Sequence, residues 1–199
     1  MNTQQFPLEE VTPKQLKEVL QCLLHTIIFN RTFGVVRPKE SVVDFIDFTY
    51  VKCDDESIEK AVSERAHQFY DSWLRKKFDP PRRAVVIAFD ERRYRSQLFG
   101  FSKVEEKIRW ENWILPFSLA SEQDKGMSRE DLQRVFLSIL RCINDNKNHI
   151  PPLTNNELVP FPYEIYFPSP NDAINNQGIM ATLGSMLKGP SSAPSLLLT

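Results

Sequence analysis

The sequence predicts an α+β protein in which three helices pack on one face of an antiparallel sheet. Three amphipathic helical patterns alternate with segments rich in β-branched and aromatic residues, in the order helix, strand, helix, hairpin, helix, strand. With 199 residues, of which 41% are hydrophobic, the chain is long enough for one domain with an ordinary core. We expect that domain at residues 1–167. A partly flexible segment should follow at 168–199, where residues 179–187 could form a short helix.

The first helix is predicted from a start signal and a wide apolar stripe. Thr12 and Pro13 place a capping residue before proline at the first helical position. Apolar residues then recur at helical spacing: Leu16, Val19, Leu20, Leu23, Leu24, Ile27 and Ile28. A stripe this wide predicts a largely buried helix that ends near Asn30.

The segment 42–51, VVDFIDFTYV, is interpreted as one strand. It is rich in β-branched and aromatic residues, and both of its faces would carry apolar groups. This pattern predicts a central strand that is covered on both sides. Asp47 lies inside the segment, and we interpret it as a buried, hydrogen-bonded structural carboxylate rather than a catalytic one.

Two further helices are predicted from their ends. Asp54 or Asp55 can cap the second helix, which the pair Pro80 and Pro81 should stop. Ser128 caps the third helix, and Asp131 three residues later makes a weak form of the capping box.

The remaining strands are predicted at 84–89, at 108–119 and at 163–167. The first two should form a long hairpin, in which the charged continuation 90–95 projects from the sheet. Phe99 and Phe101 flank a glycine in the connecting loop. Either both rings tuck into the core or they form an exposed aromatic tip, which would cost roughly 1.5–3 kcal/mol per ring relative to burial. Such exposure is usually retained where a partner recovers that free energy.

Motifs for catalysis or for metal and cofactor binding are missing from the sequence. It contains no metal-ligand spacing, Walker loop or nucleophile elbow, and we predict no catalytic residue, no metal and no cofactor. The histidines are interpreted as structural or surface residues: His25, His67 and His149. The cysteines form no CxxC and fit the reduced thiols of a cytosolic or nuclear protein: Cys22, Cys53 and Cys142.

Charge and hydropathy limit the classes of partner that the sequence predicts. A formal net charge of -1 disfavours a nucleic-acid surface. No signal-peptide run or membrane-spanning apolar stretch is present. The basic runs at 75–83 and 92–95 are interpreted as solvated ends of elements, with contact to a phosphoinositide or an acidic protein as the alternative.

Several segments resemble the autophagy-related protein 101 family. They are DFIDFTYV at 44–51, Leu24-His25-Thr26 followed by Asn30-Arg31, WENW at 110–113, and YEIYF at 163–167. The resemblance runs from about Val11 to Phe167. It implies a HORMA fold, in which three helices pack on a sheet and a C-terminal segment wraps around it.

The resemblance implies a non-catalytic adaptor of the cytoplasm and the preautophagosomal structure. Family members pair as a heterodimer with the HORMA domain of autophagy-related protein 13, stabilise it in the autophagy-initiating kinase complex and recruit later factors. Any membrane contact would be indirect or weak. Asn30 and Arg31 are then the expected partner-binding residues. Phe99 and Phe101 match, by position, the family's protruding Trp-Pro-Phe finger, with phenylalanine in place of tryptophan and glycine in place of proline.

Two other functions stay open at this point. The chain could be a different HORMA protein that grips a peptide as an added edge strand. It could also be a small hydrolase or transferase that uses Asp47 and His25, which requires both side chains to face one solvent-accessible cleft. The placement of His25 within a buried helix argues against the second alternative.

Overall fold

The computed structural model combines three helices with a mostly antiparallel sheet in its described residues, and the predicted α+β class is confirmed. The structure describes residues 1–77, 82–96, 103–121, 123–152 and 161–168, with the backbone alone at 94–96, 103 and 104. In these residues the elements are β1 (Asn2–Gln5), β2 (Leu8–Val11), α1 (Leu16–Asn30), β3 (Pro38–Val43), β4 (Phe48–Cys53), α2 (Glu56–Leu74), β5 (Arg82–Ser96), β6 (Lys103–Leu119), α3 (Arg129–Asp145) and β7 (Tyr163–Tyr166).

All described residues except Pro168 lie in one compact unit, Met1–Phe167. A second unit comprises Pro168–Thr199. The short helix predicted at 179–187 falls in that second unit and lies outside the described residues. None of the described helices combines the length and the apolar character needed to cross a bilayer.

The main sheet is built around the predicted β5–β6 hairpin. Its strand order is β1-β6-β5-β7, and β2 also pairs with β6. β5 and β6 are antiparallel from Arg82↔Ser118 to Ser96↔Lys103, and β7 is antiparallel to β5. β1 and β2 run parallel to β6 and were not predicted. Both are four-residue strands in a polar segment, so they show too little hydrophobic alternation to be recognised.

The single strand predicted at 42–51 is wrong, because the chain reverses within it. Residues Asp44–Ile46 form one 3₁₀ turn, and Asp47 has a left-handed φ of 49°. β3 and β4 therefore pair antiparallel as a separate two-stranded sheet, with Val42 opposite Thr49. Aspartate tolerates the left-handed region better than most residues, which fits a turn at this position.

The turn also corrects the interpretation of Asp47. Its carboxylate is 91% exposed and lies 4.0 Å from Nη1 of Arg129, so it is not a buried structural group. The strand that is buried on both faces is β5 instead. Val85, Val86 and Ile87 are consecutive there and each has 0% exposure.

The start of α1 is held by a side chain that reaches the segment before α3. The Gln15 Oε1 atom accepts hydrogen bonds from the Thr12 N–H at 3.2 Å and from the Met127 N–H at 3.0 Å. Gly126 lies beside it with a φ of 70°, and a Cβ at that position would collide with the Gln15 side chain. The helix thus begins at Leu16, a turn later than Thr12 and Pro13 predict, and ends at Asn30 as predicted.

Both other predicted caps form. The Asp55 carboxylate accepts from the backbone N–H groups of Ser57 and Ile58 at the start of α2. Ser128 and Asp131 make a reciprocal capping box at the start of α3. These ends were predictable because each depends on residues within a few positions of the helix start.

Replacing Asp55 by alanine should lower the free energy of unfolding by about 1 kcal/mol, because two N–H groups lose their acceptor. Urea denaturation followed by circular dichroism measures the change. Asp54→Ala is the matched control, since the neighbouring exposed carboxylate makes only a 3.8 Å ion pair with Lys39 and should change stability by less than about 0.5 kcal/mol. Equal losses in the two variants would contradict the capping role.

Candidate functional site

The end of α1 is joined to the main sheet by a buried ion pair. The Arg31 Nε atom lies 2.7 Å from Glu111 Oε2, and the two side chains are 1% and 0% exposed. The Arg31 Nη2 atom donates to Glu111 Oε1 at 2.9 Å, so the pair is bidentate. The same guanidinium also lies over the ring of Trp113, 5.5 Å from its centre.

A histidine completes this cluster from the loop after α3. The His149 Nε2 atom lies 2.9 Å from Glu111 Oε1, and the ring packs at 5.5 Å from that of Trp110. Asn2 in β1 contacts the His149 ring nitrogen Nδ1 at 3.2 Å. The buried carboxylate therefore connects α1, β6 and the loop after α3, and through His149 it reaches the first strand.

These contacts locate the two residues expected at the partner interface. The Arg31 side chain is buried and forms an ion pair with Glu111, so its role in this structure is to stabilise the fold. The Asn30 Nδ2 atom donates to the Thr26 carbonyl one turn earlier at 2.8 Å, and the residue is half-buried. Contact of either residue with another protein stays a prediction. Sequence reasoning missed Glu111, whose signal was a carboxylate between the two tryptophans of WENW.

The two phenylalanines of the predicted finger, Phe99 and Phe101, lie outside the described residues. The strands that lead to them are described. Beyond Asp90 in β5 and Arg109 in β6, neither β1 nor β7 pairs with the hairpin, so it continues as a two-stranded ribbon to Ser96↔Lys103. Six residues at about 3.3 Å each extend that ribbon by about 20 Å.

His25 and Asp47 do not meet the condition of the hydrolase hypothesis. His25 is 4% exposed on α1, whereas the Asp47 carboxylate is 91% exposed at the β3–β4 turn. Burial, followed by the charge of Lys52, lowers the pKa of His25 from 6.5 to about 4. The imidazole is therefore neutral near pH 7.

The lowered pKa predicts acid sensitivity. Between pH 6.5 and about 4 the unfolded chain binds a proton on His25 that the folded chain does not, so stability falls as the pH falls. The expected loss is about 3 kcal/mol across this window. Urea denaturation at pH 7 and pH 4.5 measures it, and His25→Gln should show a smaller loss because glutamine does not titrate. Equal pH dependence in both proteins would assign the effect to other groups.

The cysteines are placed as unreactive thiols. Burial raises the pKa of Cys22 to about 12, so its thiolate is scarcely populated near neutral pH. Burial also raises the pKa of Cys53 and of Cys142. Across the described ranges, no three His, Cys, Asp or Glu side chains are grouped to hold a metal ion.

Comparison with known proteins assigns the family. The family model described as Autophagy-related protein 101 matches residues 10–157 of the chain. A protein of that name from Arabidopsis thaliana is 30% identical over 190 residues, covering 82% of this chain and 86% of the relative.

The chain belongs to the autophagy-related protein 101 family. Two vertebrate proteins of the same name are similar as well. The one from Homo sapiens is 27% identical over 167 residues, covering 75% of this chain and 74% of the relative. The one from Xenopus tropicalis is 28% identical over 147 residues, which is 65% of each chain.

Membership of the autophagy-related protein 101 family gives this chain a role in autophagy. The resemblance predicted from the motifs is confirmed. The matched residues 10–157 include α1, the β3–β4 hairpin and the WENW strand. The three helices and mostly antiparallel sheet are consistent with a HORMA-type fold for this family member. The family is named for autophagy and is not a recognised enzyme family.

Proposed function

We propose that this chain is a non-catalytic adaptor of the autophagy-initiating kinase complex, acting in the cytoplasm and at the preautophagosomal structure. It pairs as a heterodimer with the HORMA domain of autophagy-related protein 13 and stabilises that domain in the complex. It recruits later factors through an aromatic loop at Phe99 and Phe101. Membership of the autophagy-related protein 101 family supports this proposal. The partners named here are those that the sequence resemblance to that family implies.

The observation that carries the recruiting role is the β5–β6 ribbon. Residues 97–102 connect the ends of β5 and β6. These ends lie about 20 Å along the ribbon from the five-stranded part of the sheet. The ribbon carries charged, half-exposed side chains such as Arg92 and Glu105, which pair at 3.3 Å and suit a solvated arm. Two aromatic rings on such an arm would offer a partner apolar anchors, the kind of residue that dominates the energetics of an interface.

Co-expression with the partner HORMA domain, followed by size-exclusion chromatography, tests the pairing. We expect a one-to-one complex. The double variant Phe99→Ala and Phe101→Ala should leave that complex intact and lose the capture of later autophagy factors in a pull-down. Val35→Ala is the control, because Val35 is an apolar residue that is 85% exposed elsewhere on the surface.

Each failure has its own meaning. If the two chains elute separately, the pairing is wrong. If the double variant loses its folded circular dichroism spectrum, the two rings belong to the core and the recruiting role is wrong.

A second candidate function rests on the edge of the sheet. β7 ends the strand order, so within the described strands its outer edge has no neighbour. A peptide could add there as a further strand, with main-chain hydrogen bonds giving affinity. Capture of a short linear peptide, in place of a folded partner, would favour this function.

A further inference from the structure

A polar pocket lies where α1 and α2 meet the β3–β4 hairpin. Its volume is about 260 Å³, several times the roughly 30 Å³ that one water molecule occupies in the liquid, so it accommodates a group of side-chain size. Residues from α1, β3, the 3₁₀ turn, β4 and α2 line it: Glu18, Gln21, His25, Ser41, Val42, Asp44, Tyr50, Lys52, Glu59 and Ser63. We call it the His25 pocket.

Carboxylates dominate the charge of the His25 pocket. Glu18, Asp44 and Glu59 contribute three negative charges, and Lys52 is the one cation in the lining. The Lys52 Nζ atom is already 2.7 Å from Glu59 Oε1, so this cation is paired with a carboxylate of the same wall. Two carboxylates, those of Glu18 and Asp44, are left without a counterion among the lining residues.

Glu18 also contacts the turn that carries Asp44. The Glu18 Oε2 atom accepts from the backbone N–H of Asp44 at 3.0 Å, which fixes the Glu18 side chain beside the turn. Asp44 lines the same pocket, so the two carboxylates belong to one wall. This is an arrangement that a planar guanidinium fork can bridge with N–H donors.

His25 gives independent support for a ligand. It is 4% exposed, it lines the pocket, and its Nδ1 atom has no hydrogen-bond partner. Its ring stacks on Tyr50 at 6.3 Å, so it is held in place. Buried polar atoms are rarely left unpaired in folded proteins, and each one calls for a partner. The imidazole is neutral near pH 7 and therefore does not repel a cation.

We propose that the His25 pocket binds a guanidinium group, held by the carboxylates of Glu18 and Asp44 against the rings of His25 and Tyr50. The group comes either from an arginine of a partner protein or from a free small guanidinium compound. The pocket disfavours anions because its carboxylates outnumber its ammonium group. It is also separate from the Arg31–Glu111 pair, which is formed by other residues.

Agmatine, a guanidinium on a short alkyl stem, is the direct probe. In ¹H–¹⁵N NMR spectra of the full chain, we expect saturable shifts at the amides of the pocket residues. The double variant Glu18→Gln and Asp44→Asn should weaken agmatine binding by about tenfold or more, because two charge-assisted hydrogen bonds are lost. Glu64→Gln with Asp71→Asn removes two exposed charges outside the pocket and should leave the affinity unchanged.

Three results would overturn the proposal. The first is that agmatine leaves the amide signals of the pocket residues unshifted. The second is that the tetramethylammonium ion at equal ionic strength shifts these signals as much as agmatine does. The third is that the Glu18→Gln and Asp44→Asn variant binds agmatine as tightly as the control variant. Well-dispersed spectra of both variants show that each is folded.

A second experiment, which rests on the proposed heterodimer, decides the source of the guanidinium. If the pocket variant and saturating agmatine each weaken that complex, the group is an arginine of the partner. If agmatine binds the chain and the complex is unaffected, a free small compound is the ligand. If no complex forms at all, the proposed pairing fails, and the agmatine titration still decides the pocket.

Discussion

Replacing Arg31 by methionine is expected to lower the free energy of unfolding by about 3–5 kcal/mol, because Glu111 would keep a buried charge without its cation. Both oxygens of Glu111 now receive hydrogen bonds from Arg31, and the carboxylate is 0% exposed. Urea denaturation monitored by circular dichroism and by tryptophan fluorescence measures the loss. A loss of this size is a large fraction of the stability of an ordinary domain.

The matched control is Lys60→Met, which breaks an ion pair between side chains that are 78% and 58% exposed. Exposed pairs of this kind contribute less than about 0.5 kcal/mol. The double variant Arg31→Met and Glu111→Leu should recover much of the loss, since it leaves no unpaired buried carboxylate. If Arg31→Met were as mild as Lys60→Met, the buried pair would not be what joins α1 to the sheet.

Replacing Phe69 by alanine is expected to lower the free energy of unfolding by about 3–5 kcal/mol through the cavity that it leaves. Phe69 is fully buried on α2 and contacts the rings of Trp73, Phe117 and Phe167 at 5.3, 5.8 and 5.1 Å between centroids. It therefore packs α2 against β6 and against the segment that follows β7. The same denaturation experiment measures the effect.

Leu137→Ala on α3 is the comparison, because Leu137 is 40% exposed and should cost no more than about 0.5 kcal/mol. A similarly small cost for Phe69→Ala would mean that the neighbouring rings close the cavity. The Arg83 guanidinium, which lies 5.4 Å from the centre of the Phe69 ring, would also lose a contact.

Local signals predicted the helices better than the strands. The cap at Ser128 and the wide stripe of α1 lie within short windows of sequence, so the sequence predicts both helices. The turn at Asp47 was missed because the apolar residues on either side of it continue the strand pattern. β1 was missed because a short strand at the edge of a sheet need not carry an apolar face.

The candidate sites were harder to predict because each depends on contacts between distant residues. Arg31 and Glu111 are 80 positions apart, and the residues next to each one in the sequence give no sign that the two side chains pair. The sequence predicted burial of His25 correctly from its helix. It did not predict the pocket beside His25, since the walls come from two helices, two strands and a turn.

The parallel pairing of β1 with β6 has a consequence for synthesis. Asn2 pairs with Glu111, so β1 is synthesised about 100 residues before the strand with which it pairs. At roughly 5–20 residues per second, this delay is about 5–20 s. During that interval β1 is available to chaperones and proteases. A sequence inserted directly before β1 would lie beside a strand pair that forms late in synthesis, so insertions are better tested at other positions.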